Sequence, residues 1–193
     1  MFQFVEVHDE KLLEKIYRFR YFIACEELNV YKKDDYPEGI ENDEYDPYAV
    51  HFAAFDEKGA VASCVRLIHH SPVGYPTQNA LDVDLSPFDL DPQNLGEISR
   101  IFIRPDCRNL KASREIFTRF KIMLCHKMKE LGLKYTMGSL EDRFYRLLQR
   151  YRFPYEIIGE SAFYAGKERF PVLLSTDQLR EANRDLCEGM ATL

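Results

Sequence analysis

"EISRIFIRPDCRNLKASREIFTRFKIMLCHKMKELGLKYTMGSL", residues 97–140, decides the fold. Residues 97–103 carry Ile, Phe and Ile in an extended-strand pattern. From 110 to 131, Ile116, Phe117, Phe120, Leu124, Met128 and Leu131 recur at helical spacing, and Gly132 supplies a stop. Residues 134–140, "KYTMGSL", read as a second strand. Two strands joined through a long helix make a crossover, which sets the strands parallel.

The pattern extends outward from this unit. "VHFAAF" (50–55) and "VASCVRLI" (61–68) flank the turn "DEKG" (56–59) and predict an antiparallel hairpin. Asp9 caps a first helix running to about Leu28, with Leu13, Ile16, Tyr17, Ala24 and Leu28 on one face and Arg20 among them. Residues 31–49 read as a long ordered loop, and 71–95, rich in proline and turn formers, as another. A short helix at 141–150, strands within 155–164 and 170–175, and a helical tail from 176 to about 190 complete the order α, β, β, β, α, β, α, β, β, α. A mixed sheet with helices on both faces follows, an α/β fold of three layers, αβα. The 193 residues suit one domain, 1–193, with 176–193 a C-terminal helical tail.

Composition excludes several classes. A net charge of −6 argues against general nucleic-acid binding. No apolar run reaches the roughly 18 residues needed to span a bilayer, and the N-terminus lacks a signal-peptide pattern. The expected location is the cytoplasm, with no transmembrane segment. Five cysteines, an odd number without C-x-x-C spacing, predict neither a disulfide framework nor a zinc site. His69 and His70 are adjacent, so on a strand they point to opposite faces. Charge is unevenly spread: seven acids and no bases lie from Asp34 to Asp46, and nine Lys/Arg against two acids lie from Arg100 to Lys129.

Charges also stand where burial is expected. Arg20 lies on the apolar face of the first helix. Strict alternation puts Arg66 with Ala62, Cys64 and Ile68, and Arg100 with Ile98 and Phe102; Glu97 and Ser99 share the opposite face with Ile101. Arginine stays charged inside proteins, so buried arginines require anions. "ENDEYD" (41–46) can supply them through Glu41, Asp43 and Asp46, with Glu44 toward water. Such a network serves either as a structural lock or as a site with fixed polar groups. Glu97, a carboxylate on an apolar strand, should have a raised pKa, as a general base near neutral pH requires; it could equally pair with an arginine.

Four motifs in this order, R-x-x-x-x-x-E-E-L from Arg20, "ENDEYD", "SCVRLI" and "EISR", resemble acyl-homoserine-lactone synthases and their relatives in the GNAT acyltransferase superfamily, over about residues 5–165. The phrasing "YFIACEELNVY…PEGIENDEYDPYAVHF" is most similar to autoinducer-synthesis-like acyltransferases associated with exosortase/PEP-CTERM systems. N-acyl amino acid synthases are further relatives. The resemblance implies a twisted mixed sheet whose parallel strands, 97–103 and 134–140, splay to admit an acyl-pantetheine arm. It implies that Glu97 is the base, with Ser99 and Arg100 beside it. Arg20, Glu41, Asp43, Asp46 and Arg66 would make the acceptor site.

No tightly bound cofactor and no metal are expected. The co-substrate implied is an acyl-phosphopantetheine donor. "RPDCRNLKAS" contains no glycine loop of the kind acetyl-CoA enzymes use, which favours acyl carrier protein over acyl-CoA. Arg104, Arg108, Lys111, Arg114 and Arg119 would meet that carrier. Phe102, with Met123, Met137 and Phe144, would contact the acyl tail. The aromatic positions that help lactone synthases hold S-adenosylmethionine fall on Ala24 and about Val30, and the chain has no Trp. The expectation is therefore N-acylation of a small amino-acid-like amine. The rivals are a full lactone synthase using S-adenosylmethionine and a non-catalytic acyl- or partner-binding module with a GNAT shell.

Overall fold

The computed structural model describes residues 1–81, 83–88 and 90–188. Strands β1 (Gln3–Val7), β2 (Ala49–Phe55), β3 (Val61–His69), β4 (Leu95–Ile103), β5 (Tyr135–Leu140), β6 (Glu156–Ile157) and β8 (Lys167–Ser175) lie in the order β1-β2-β3-β4-β5-β8-β6. A further strand, β7 (Ala162–Tyr164), forms a hairpin with the start of β8. All pairs are antiparallel except β4–β5. The α/β class, the hairpin and the crossover match the sequence expectation. β1 had no counterpart there. Phe4 packs against one cluster and Val5 and Val7 against another, so apolar residues point to both faces and no clean strand period shows.

Helix α1 (Glu10–Tyr21) starts where Asp9 accepts a hydrogen bond from the Leu12 amide at 3.0 Å. The single helix expected to Leu28 instead changes at Tyr21 to a π-helix, Phe22–Glu27. The wider i→i+5 winding turns the last residues out of register, which is why Leu28 is 39% exposed rather than on the buried face. α1 and the π-helix cover one face of the sheet through Ile16, Phe19 and Ile23. α3 (Leu110–Glu130), capped by Asn109, covers the other through Ile116, Phe117, Phe120, Leu124 and Met128. Beside α3 lies α4 (Asp142–Arg150), its Phe144 ring 6.4 Å from Phe117. A short α2 (Pro76–Ala80) interrupts the 71–95 segment, expected to be loop throughout. After β8, α5 (Thr176–Ala182) and α6 (Arg184–Glu188) form the tail; the expected helical residues 189 and 190 lie outside the described residues. Among the described residues, no helix is long and apolar enough to cross a membrane.

Two irregularities in the sheet create the site. The first is a bulge in β4. Arg66 pairs with Ser99 but Cys64 pairs with Phe102, so two residues of β4, Arg100 and Ile101, oppose the single Val65 of β3, and Arg100 takes φ 52°. The extra residue reverses the alternation. Glu97, Ser99, Arg100 and Phe102 share the α1 side, while Ile98, Ile101 and Ile103 pack toward α3. The expected grouping of Arg100 with Ile98, and of Ile101 with Glu97, is corrected accordingly. A shift between β2 and β3 likewise moves Ala62 to the α3 side, away from Arg66. The second irregularity is a fork. β4 and β5 pair only from Leu95–Tyr135 to Glu97–Met137. Beyond that point β4 stays with β3 and β5 with β8, and the two strands lose each other.

Candidate active site

Glu97 is the last residue of β4 paired with β5, at the crotch of the fork. It is 1% exposed. Its carboxylate receives the Thr77 backbone N–H on Oε2 and the Thr77 hydroxyl on Oε1, both at 2.9 Å. Burial pushes its pKa up to about 7; the two Thr77 hydrogen bonds and the Arg66 and Arg100 charges pull the other way. Of the two environments the sequence left open, Glu97 has no ion-pair partner among the described residues, and its hydrogen bonds come from Thr77.

On the same side of the sheet, three arginines and three carboxylates interlock. Arg20, fully buried on α1, donates Nε to Glu41 Oε2 at 2.5 Å and its two terminal nitrogens to Asp46 at 2.7 and 3.1 Å. Arg66, also fully buried, donates Nε to Ser99 Oγ at 3.0 Å and Nη1 to Asp43 and Asp46 at 2.5 and 2.9 Å. Arg100 donates Nη2 to Glu41 and Asp43, each at 2.9 Å. The acidic loop is anchored in register by the Glu41 amide, which donates to the Tyr17 carbonyl, and by the Asp43 amide, which donates to Asp46. The three positive and three negative side chains balance. Each carboxylate accepts from two guanidinium groups, which offsets much of the cost of removing it from water.

The electrostatics follow from this geometry. Burial alone would raise Glu41, but Arg100 and Arg20 bring its pKa down to about 2. Burial opposes Arg20 and Arg66 at Asp46 too, and the cations win, holding it far below the usual carboxylate range. His51 Nε2 lies 3.5 Å from Asp46 without a hydrogen bond; burial lowers its pKa to about 4, and the imidazole is neutral at pH 7. One buried donor, Arg66 Nη2, has no partner among the described residues.

Tyrosines wall the cluster. Tyr17 stacks on the Arg20 guanidinium and Tyr31 on that of Arg100, each 5.1 Å from ring centre to carbon. Glu97 and Arg100 both bear on the Tyr164 hydroxyl, which burial raises to about 12. The β7–β8 turn closes over this region: a side chain at Gly166 would meet Val30 at 3.5 Å.

All eight residues expected at the acceptor and base positions, Arg20, Glu41, Asp43, Asp46, Arg66, Glu97, Ser99 and Arg100, converge on one side of the sheet at the fork. The residues proposed for the acyl donor do not converge in this way. Arg104 is held by Asp56 and Asp106, at 2.9 and 2.7 Å, and Arg108 is clasped through two nitrogens by Glu27. Lys111, Arg114 and Arg119 line a shallow cavity of about 580 Å³ along the start of α3, beside the 82%-exposed Leu110. The tail residues scatter: Phe102 packs with the α1 cluster, Met123 and Phe144 with the α3 cluster, and Met137 with Tyr45 and Tyr75 beneath the 71–95 segment. Sequence reasoning missed Thr77 and His51. Thr77 follows a proline in "YPTQNA", a helix-start pattern that a loop reading passes over; nothing in the sequence marks His51.

No curated protein matches the chain. Several solved structures share its fold. TofI, in a ternary complex with an inhibitor and MTA, superposes with a TM-score of 0.69 at 17% identity, covering 97% of this chain and 100% of that one. BjaI, a CoA-dependent acyl-homoserine lactone synthase with SAM and isopentyl-CoA, gives 0.70 at 18% identity over 92% and 82%. FeeM, an N-acyl amino acid synthase from uncultured soil microbes, gives 0.71 at 14% identity over 98% of each chain. The family model for the acetyltransferase (GNAT) domain matches residues 18–117, a span that contains all eight converging residues and more than half of the chain. On that match, and with the forked mixed sheet that carries the site, the chain belongs to the GNAT acetyltransferase domain family.

Proposed function

We propose that the protein is an N-acyltransferase that moves a fatty acyl group from a phosphopantetheine thioester to the amine of a small amino-acid-like acceptor. The observation that carries this reading is Glu97, a buried carboxyl raised toward neutrality at the mouth of a strand fork, beside a charge-balanced cluster that leaves it without an ion-pair partner. The likeness in fold to acyl-homoserine lactone synthases and to an N-acyl amino acid synthase supports it.

The acyl-pantetheine arm enters between the diverging ends of β4 and β5, where the backbone has lost its parallel ladder and can hydrogen-bond the arm and polarise the thioester carbonyl. The acceptor ammonium faces Glu97 and the half-buried Asp43. Asp46, already accepting from Arg20, Arg66 and the Asp43 amide, supports the arginines rather than the substrate. The acceptor carboxylate meets Arg66 Nη2 and Arg100. Glu97 removes one proton from the ammonium, and the amine attacks the thioester carbon. The C–N bond forms and the C–S bond breaks. The second nitrogen proton leaves with the thiolate as free thiol, and an amide remains.

The donor is an acyl carrier protein docking on the basic start of α3, Lys111, Arg114 and Arg119; acyl-CoA is the other candidate. Arg104 and Arg108, neutralised by acids of the same chain, contribute less. We infer a cytoplasmic enzyme of one domain, and on the sequence motifs we group it with the exosortase/PEP-CTERM-associated acyltransferases. Lactone formation is disfavoured because Ala24, fully buried in the π-helix, and Val30 replace the aromatic positions named above.

The test is incubation with acyl carrier proteins and acyl-CoAs of several chain lengths and a panel of amino acids, read by mass spectrometry. A new amide with equimolar free thiol supports the reading. Methylthioadenosine released from S-adenosylmethionine would move it to a lactone synthase. Donor binding without consumption of any donor would leave a binding module.

A further inference from the structure

Glu97 depends on a segment outside every motif named so far. Its two carboxylate oxygens are each occupied once, and both hydrogen bonds come from Thr77. Thr77 is fully buried and sits in the first turn of α2, so its amide is not needed by the helix and is free to donate outward. Two further bonds fix α2 in place. The Tyr75 hydroxyl donates to the Leu95 carbonyl of β4 at 2.5 Å, and Asn79 Nδ2 donates to the Tyr45 hydroxyl of the acidic loop at 2.9 Å. The grip on Glu97 is thereby tied both to its own strand and to the loop that carries the cluster.

We propose that Thr77 is a positioning residue, its amide and hydroxyl together holding the Glu97 carboxylate so that its unoccupied lone pairs face the acceptor amine; this rests on the acyltransferase reading above. A carboxylate out of water needs donors to remain ionised and oriented. Arg66 and Arg100 act on it only through space. Among the described residues, Tyr45, Tyr75, Tyr155 and Tyr164 also face it; each is protonated near neutral pH, and burial pushes its pKa further up. Thr77 is thus the direct support of the charged form.

Thr77→Val keeps the shape and the backbone amide but deletes the hydroxyl; Thr77→Ser keeps the hydroxyl. The ionisation of Glu97 is followed by infrared titration of its carboxyl stretch, assigned by its loss in Glu97→Gln, on full-length protein checked for an unchanged melting profile. The midpoint is expected to rise by about one pH unit in Thr77→Val and to stay at the wild-type value in Thr77→Ser. In the amide-forming assay the acid limb of the pH–rate profile should move by the same amount. An identical midpoint in wild type and Thr77→Val overturns the inference. This readout needs no turnover, so an inactive wild-type protein would defeat the acyltransferase reading while leaving the Thr77–Glu97 coupling open to measurement.

Discussion

Glu97 and Glu41 are both glutamates with almost no exposure, and their surroundings drive them in opposite directions. Glu41 meets two guanidinium groups, and its folded pKa is depressed to about 2 from 4.5. It therefore contributes stability that is present above about pH 4.5 and lost as pH falls toward 2. Glu97 has no guanidinium partner, and burial raises its folded pKa to about 7 against the pull of the two Thr77 hydrogen bonds. Its contribution is fully present below about pH 4.5 and is lost as pH rises through 7, on the order of 3 kcal/mol over that window. Denaturant unfolding of Glu97→Gln should accordingly lack the wild-type decline in stability between pH 5 and 8. A parallel decline in both proteins would assign the effect to another group. The meeting of Arg20, Arg66 and Arg100 with Glu41, Asp43 and Asp46 was legible in the sequence because buried arginines demand anions, whereas the place of Glu97 beside them came only from the family resemblance. The face of Arg100 was not, because a bulge set by local backbone geometry, φ 52° at a non-glycine residue, leaves no mark in a hydrophobic alternation.

At the scale of elements, the fork depends on how tightly β3, β4 and β5 approach before they part. Gly96 sits between them: an added Cβ would come within 2.7 Å of the Ile68 carbonyl and 3.0 Å of Leu133. Backbone cannot yield there as a flexible side chain would, so Gly96→Ala should destabilise by about 1–3 kcal/mol, read as a lower urea midpoint. A Cβ added at Gly138, just past the last paired residues, would lie 3.2 Å from the Ile98 carbonyl. Gly138→Val should spread the fork's base and impair donor use more than stability, read as a raised KM for the acyl donor with a smaller change in midpoint. Strands β2 to β5, β8 and helix α3 announced themselves by period and length; β1 did not. The π-helix did not, since its six residues continue an α-helical apolar pattern and differ only in hydrogen-bond register. The order hidden in 71–95 escaped for another reason: a five-residue helix is too short to show a period.

Across the whole molecule, the ionic cluster joins α1, the acidic loop, β3 and β4, segments distant in sequence that no shared strand or helix connects. Its charges cancel only as a set. Arg20→Met leaves Glu41 and Asp46 buried with fewer cations and should cost about 3–5 kcal/mol, whereas the exposed Arg146→Ala, which breaks only a helical pair with Asp142, should cost well under 1 kcal/mol. Thermal unfolding of the two variants checks the contrast, and equal losses would mean the cluster does not bind the fold together. The same arrangement holds two arginines and a raised carboxyl at one end of the gap, where the proposed chemistry needs them. The central claim, that Glu97 at the fork is the base for acyl transfer to an amine, is tested most directly by the pH dependence of amide formation in wild type and Glu97→Gln. The wild-type rate should rise with pH through a midpoint near 7, and the variant should be slower by about 100-fold or more and lose that limb. Amide formation by Glu97→Gln at the wild-type rate, with the same pH profile, would contradict the account.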